Sequence, residues 1–123
     1  MTNKELVFTA VTSVFGQRDV SALDKYFDSN YIQHNPALPN GTDILKQIIP
    51  GLPADFKYEV ATVTEHDDIV MVHGRFSNWN GKNYVAVDIF KVKDGKIIEH
   101  WDVLQEEVET AKTVTGNPMF PLS

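Results

Sequence analysis

The spacing of apolar and polar positions changes once along the chain, near Phe56, and divides it into a helical half and a β half. Before that point apolar residues recur at intervals of three and four. Val7, Ala10, Val11 and Val14 form one stripe, Thr2 and Glu5 fit a capping box ahead of it, and Gly16 supplies a stop. Together they predict a first helix over Thr2–Gly16. After a short polar link, a second, shorter helix is expected from Ser21, burying Leu23, Tyr26 and Phe27. The run Tyr31-Ile32-Gln33-His34-Asn35-Pro36 reads as a compact irregular segment, followed by a turn at Pro39-Asn40-Gly41. Thr42 or Asp43 then caps a third helix that buries Ile44, Leu45, Ile48 and Ile49 and stops at Pro50-Gly51.

From Phe56 onward the period is two. Strands are expected at Phe56–Glu65 and Ile69–Ser77, separated by His66-Asp67-Asp68, with the next turn at Asn80-Gly81. Tyr84–Gln105 is a hairpin about Asp94-Gly95, a pair that tolerates the left-handed backbone of short loops. Three helices followed by four antiparallel strands predict one α+β domain over residues 1–123, its helices packed on the concave face of a curved antiparallel sheet. Residues 106–123 form a C-terminal tail.

The hairpin register decides which residues share a face. A two-residue loop at Asp94-Gly95 sets Lys93 opposite Lys96 and Asp88 opposite Trp101, leaving Asp102 on the other face. A bulged turn at Gly95 instead sets Val92 opposite Lys96, Asp88 opposite His100 and Ala86 opposite Asp102. All four then share a face with Phe90 and Ile98, because side chains alternate along a strand. A mid-strand aspartate needs a partner, and only the second register puts an imidazole directly opposite it, so that register is expected. The other face carries Val85, Val87, Ile89, Ile97, Trp101 and Val103. It is too apolar for open water, which predicts a homodimer through this outer face; the alternative is that the tail from Val108 to Ser123 folds back over part of it.

Composition narrows the function. With no cysteine, disulfides, thiolate nucleophiles and Cys-ligated metals are excluded. The net charge of -6, from 11 basic and 17 acidic residues, argues against nucleic-acid and anionic-membrane surfaces. No apolar run is long enough to span a bilayer, and the N-terminus lacks the core of a signal peptide, so a cytoplasmic protein is the expectation. Glycine-rich phosphate loops and a nucleophile-elbow serine are missing, which sets aside nucleotide and covalent-hydrolase chemistry.

The helical N-terminal half, the YIQHNP segment and the run DIFKVKDGKIIEHWDVLQ together resemble the SnoaL-like polyketide cyclase group of the nuclear transport factor 2-like superfamily. The closing GNPMF, Gly116–Phe120, resembles the tail of bacterial SnoaL-like proteins often described as aldol-condensation enzymes. The resemblance implies a cone-shaped, cystatin-like α+β barrel, usually dimeric, with a pocket between helices and sheet. In SnoaL-like cyclases an acid/base aspartate serves an intramolecular aldol closure, and by motif it falls on Asp102. Asp88, fourteen positions upstream, falls where the cyclases place a pocket partner that can be histidine. The same fold hosts isomerases, dehydratases, epoxide hydrolases and plain binding domains.

Proton transfer is the chemistry these residues suit. Removing a proton beside a carbonyl needs a base and a donor for the developing enolate oxygen. In ketosteroid isomerase one aspartate is the base and a second, protonated, donates. The expected catalytic residues are accordingly Asp102 as general acid/base, with His34 and Asp88 orienting it or polarising the carbonyl. His100, Tyr31, Phe90, His73 and Phe120 are the candidate substrate-binding residues. Each has a plainer reading. Asp102 could cap a strand end, Asp88 and His100 could simply anchor each other, His34 could tie down an irregular turn, and the aromatics and His73 could be core. His100, Asp102 and His34 could imitate a two-histidine, one-carboxylate metal set, but the spacing is not that of a metal motif, and neither metal nor cofactor is expected. The expected function is acid/base catalysis on a small apolar carbonyl compound by cyclisation, isomerisation or dehydration. A non-catalytic module that binds a hydrophobic ligand or dimerises is the alternative.

Overall fold

The computed structural model describes residues 1–121; Leu122 and Ser123 lie outside the described residues. Helix α1 spans Asn3–Val11. Its capping box is complete: the Glu5 N–H donates to Thr2 Oγ1 at 3.1 Å, and the Thr2 N–H donates to Glu5 Oε1 at 3.2 Å. The helix runs on into one wider π-helical turn, Thr12–Gly16. Val7, Ala10, Val11 and Val14 are buried along this stretch, as their spacing predicts, and Leu6 joins them. Helix α2 (Ser21–Tyr26) and helix α3 (Asp43–Ile48) contribute Leu23 and Leu45 to the same core.

Five strands follow one sheet in the order β1-β5-β4-β3-β2. They are β1 (Phe27–Gln33), β2 (Lys57–His66), β3 (Ile69–Trp79), β4 (Lys82–Lys93) and β5 (Lys96–Glu106). The sheet is curved and unclosed, and the helices pack on its concave face. Strands β2 to β5 form the expected antiparallel meander. β1 corrects the sequence reading twice. Phe27 starts a strand rather than ending α2, and the segment expected to be irregular is an edge strand parallel to β5, with Ile32 opposite Glu99 and Gln33 opposite His100. The polar stretch Asp28-Ser29-Asn30 carries no local strand signal; pairing with a partner some seventy residues away supplies it.

The hairpin register is also corrected. Asp94 and Gly95, at φ 50° and 75°, form a two-residue loop with Lys93 opposite Lys96. Val92 then faces Ile97, and Ile98 is an extra residue, because the next pair is Lys91 with Glu99. The bulge lets Ile97, fully buried, join the core opposite Val92, so Ile97 belongs inside and not on the outer face, while Ile98 leaves the inner face. Beyond it Phe90 faces His100, Asp88 faces Asp102 and Ala86 faces Leu104. The slip from the expected register is an even number of residues. Asp88, Phe90, His100 and Asp102 therefore still share one face, although their direct partners differ.

The chain after β5 folds back over the outer face of β3. Arg75 binds the Glu107 carboxylate through two nitrogens at 2.9 and 2.7 Å, donates to the Phe120 carbonyl at 3.3 Å, and stacks its guanidinium over the Phe120 ring. His73 meets the same ring edge-on. Val103 and Met71 stay exposed on that outer face, 66% and 43% accessible. Among the described residues no helix is long and apolar enough to cross a membrane.

Candidate active site

A cavity of about 520 Å³ lies between the helices and the concave face of the sheet. Phe15, Phe27, Tyr58, Phe76 and Phe90 wall its interior, while the exposed Pro36, Ala37, Asn80 and Leu104 mark its rim. The polar groups gather at one place, where β1, β5 and β4 lie side by side. Asp88, His100 and Asp102 each put a polar atom within 4.8 Å of the others.

His100 organises this cluster. Its Nδ1 lies 2.7 Å from Gln33 Oε1 and its Nε2 lies 2.8 Å from Asp88 Oδ1. The Asn35 backbone N–H also donates to Gln33 Oε1, at 3.1 Å, so that atom is an acceptor and the amide orientation is settled. His100 Nδ1 must then carry a hydrogen. In a neutral ring Nε2 is bare, so one proton sits between Nε2 and Asp88: on the acid beside a neutral ring, or on the ring beside a carboxylate. Burial pushes the Asp88 carboxyl above its ordinary value of 3.8; contact with His100 pulls it back in part, and the Asp102 charge adds to the rise.

Asp102 is less enclosed. Asn35 Nδ2 donates to both of its oxygens, at 3.0 and 2.8 Å, which fixes the carboxylate plane and leaves lone pairs directed elsewhere. Tyr31 accepts from Gln33 Nε2 at 3.1 Å, and burial together with the two acids pushes its phenol to about 12. The site thus pairs a half-buried carboxylate with a buried acid that favours keeping a proton. One is suited to accept a proton and the other to supply one.

Of the residues expected from sequence, Asp88, Asp102, His100, Tyr31 and Phe90 meet in this cavity. Three do not. His34 turns to the outer face, where its ring stacks on Trp101 with centroids 4.6 Å apart and its Nε2 lies 2.6 Å from Glu99. It cannot orient Asp102 from there; its neighbour Asn35 does so. His73 and Phe120 pack on each other beneath the tail, also outside. The residues missed are Gln33, Asn35 and Tyr58. A strand reading of residues 27–33 would have revealed the first two, since the alternation that puts Tyr31 inside continues through Gln33 to Asn35 and turns His34 out. As metal ligands the cluster is poorly disposed: both His100 nitrogens are engaged, so an ion at Nε2 would have to break the contact with Asp88.

Helices packed on the concave face of a curved, unclosed five-stranded sheet place the chain in the nuclear transport factor 2-like α+β class. Within it the model of the SnoaL-like domain matches residues 8–100, and the chain belongs to that family. Solved structures share the fold. A nuclear transport factor 2-like protein of unknown function from Cytophaga hutchinsonii superposes with a TM-score of 0.71 at 20% identity, over 85% of this chain and 91% of that one. TsrD from Streptomyces laurentii gives 0.68 at 18%, over 83% and 87%. IdmH from Streptomyces antibioticus, whose suggested role is polyketide cyclase, gives 0.65 at 15%, over 85% and 92%. No curated protein sequence matches the chain.

Proposed function

We propose that the protein is an acid/base enzyme acting on a small apolar carbonyl compound bound in the cavity. The observation that carries this reading is the pairing of Asp102, held by Asn35, with the proton-sharing Asp88–His100 couple inside an aromatic-walled hollow. Asp102 takes a proton from the carbon next to the carbonyl. The C–H electron pair becomes the carbon–carbon double bond of the enolate, and the carbonyl π pair moves onto oxygen. The enolate carbon can then attack a second carbonyl, take a proton back at another position, or expel a β-leaving group. The proton between Asp88 and His100 is available to the new alkoxide or leaving oxygen. These outcomes are cyclisation, isomerisation and dehydration, and none requires a cofactor. The fold likeness to a suggested polyketide cyclase agrees with this choice without naming a substrate.

The test is α-proton exchange on 2-tetralone, a flat apolar ketone that fits the cavity, followed by NMR in heavy water. Exchange catalysed above a buffer blank, and suppressed when the cavity is filled by a non-reactive analogue such as 2-methylnaphthalene, supports the reading. A rate equal to the blank with 2-tetralone bound leaves the cavity as a binding site only.

Association through the outer sheet face belongs to the same proposal. Val103 and Met71 remain exposed there beside the tail, as does Ile32 on β1, 49% accessible. Val103→Glu is expected to turn a dimer into a monomer in sedimentation velocity, because a desolvated charge at the centre of such a contact has no partner. A wild-type chain that sediments as a monomer at tens of micromolar would overturn this part.

A further inference from the structure

Tyr58 enters the cavity from β2, the edge strand opposite β1, and its hydroxyl has no task in the scheme above. On the inner face it stands opposite Phe76, next to Gly74, which in turn faces Ala86 of β4. Glycine and alanine leave a shallow trough across the sheet, and the Tyr58 ring lies in it. A Cβ at Gly74 would sit 3.4 Å from Tyr58 Cε1 and 3.5 Å from its hydroxyl oxygen. Phe76 and Phe15, in edge contact with each other at 5.7 Å, pack against the ring with centroids 4.8 and 5.6 Å away. The phenol therefore points along the trough from the sheet edge towards β4 and Asp88. Burial and the Asp88 charge keep it well above its ordinary value, so it remains an O–H donor. Its hydroxyl makes no hydrogen bond to a described residue and opens on the cavity, since it is not one of the sealed side-chain atoms left unpaired, Thr42 Oγ1 and His73 Nδ1. Tyr31 differs, since its oxygen is already tied to Gln33 and the residue is only 2% exposed. A hydroxyl that opens on an apolar hollow is free to donate to an acceptor on a bound ligand.

We infer that Tyr58 is a further catalytic residue, donating its hydrogen bond to the substrate's carbonyl oxygen and holding the enolate oxygen that forms as Asp102 removes the adjacent proton. The inference rests on the acid/base reading and adds the group that receives the displaced charge. Tyr58 keeps its proton throughout; only the carbonyl π pair moves, onto the oxygen that Tyr58 faces. The substrate thus lies across the sheet, with its oxygen towards β2 and its acidic carbon towards β5.

The test compares the wild-type protein, Tyr58→Phe and Asp102→Asn by infrared difference spectroscopy of bound 2-tetralone and by α-proton exchange. In the wild type the carbonyl stretch should move to lower wavenumber than in an apolar solvent, and in Tyr58→Phe it should return most of the way. Tyr58→Phe should lower kcat for exchange about a hundredfold. The KM for 2-tetralone should rise by less than about tenfold, the weight of one hydrogen bond. Asp102→Asn should lose exchange and keep the shifted band. An unmoved band in Tyr58→Phe, with normal melting, overturns the role of Tyr58 and leaves the acid/base reading standing if Asp102→Asn is inactive. A shifted band that Tyr58 controls, with no exchange in the wild type, sinks the acid/base reading instead. Failure of 2-tetralone to bind at all counts against both.

Discussion

Asp102→Asn is expected to lower the rate of α-proton exchange by about 10²–10⁴, the range in which a positioned general base contributes. The amide is close to isosteric and lies where Asn35 can still offer a hydrogen bond, so neither fold nor cavity should change. What disappears is the lone pair that accepts the proton. Asp102 is suited to this role by its half-buried position and by Asn35, which reaches both oxygens with one NH₂ and holds the carboxylate in a single plane. Asp88 lies deeper and shares a proton with His100, so it cannot replace a lost base without giving up that contact. The comparison needs melting curves for both proteins and exchange rates across pH 5–9. If Asp102→Asn kept wild-type rates, with Asp88→Asn inactive, the two acids would have to trade roles.

The second large effect concerns stability. His100→Leu removes the partner of a buried aspartate and one of the two hydrogen bonds that Gln33 Oε1 accepts, leaving the one from the Asn35 N–H. Breaking a buried pair on one side typically costs about 3–5 kcal/mol. In a domain of this size that lowers Tm by roughly 10–20 °C. The loss should depend on pH, with a sign that follows from Asp88. Its folded carboxyl titrates above the ordinary 3.8, so the folded chain holds the proton more tightly than the unfolded one. That contribution to stability is present below 3.8 and is lost as pH rises through the raised value. Without His100 the value climbs further, since the hydrogen bond and charge that pull it down are gone. The gap between wild type and His100→Leu should therefore widen from acid to neutral pH in urea melts. Asp88→Leu combined with His100→Leu should recover much of the loss, because an apolar pair leaves no stranded charge. Equal stability of His100→Leu and wild type at neutral pH would show that the pair is not sealed from water.

His34 and Asn35 show how far the chain could be read in advance. The motif containing them does border the cavity, but through Asn35, while His34, the residue type that suggests proton transfer, lies on the outer face. Side-chain direction depends on whether the backbone there is extended, and β1 is extended only because β5 lies alongside it. The hairpin shows the same limit in milder form. Strand identity and the Asp94-Gly95 turn were legible from period and turn chemistry, and the inner face of Asp88, Phe90, His100 and Asp102 came out correctly. The pairing within that face depended on a bulge at Ile98, whose cause is the core opposite Ile97 and not anything in the turn. Tyr58 was invisible for a related reason: nothing local marks an aromatic on an edge strand whose ring lies over a glycine on the next strand.

Amino-acid order alone was enough for the α+β class, the family, the helical first half with its capping box, and the two acids and imidazole on one face of the sheet. Those features rest on short-range periodicity and on residue types close together in the chain. Packing between distant segments decided the fifth strand, the direction of His34, the exact cross-strand partners, the tail over β3 and the polar groups that hold each acid. These depend on which surfaces meet when a parallel edge strand joins the sheet, and a contact between residues some seventy positions apart leaves no periodic trace in either segment.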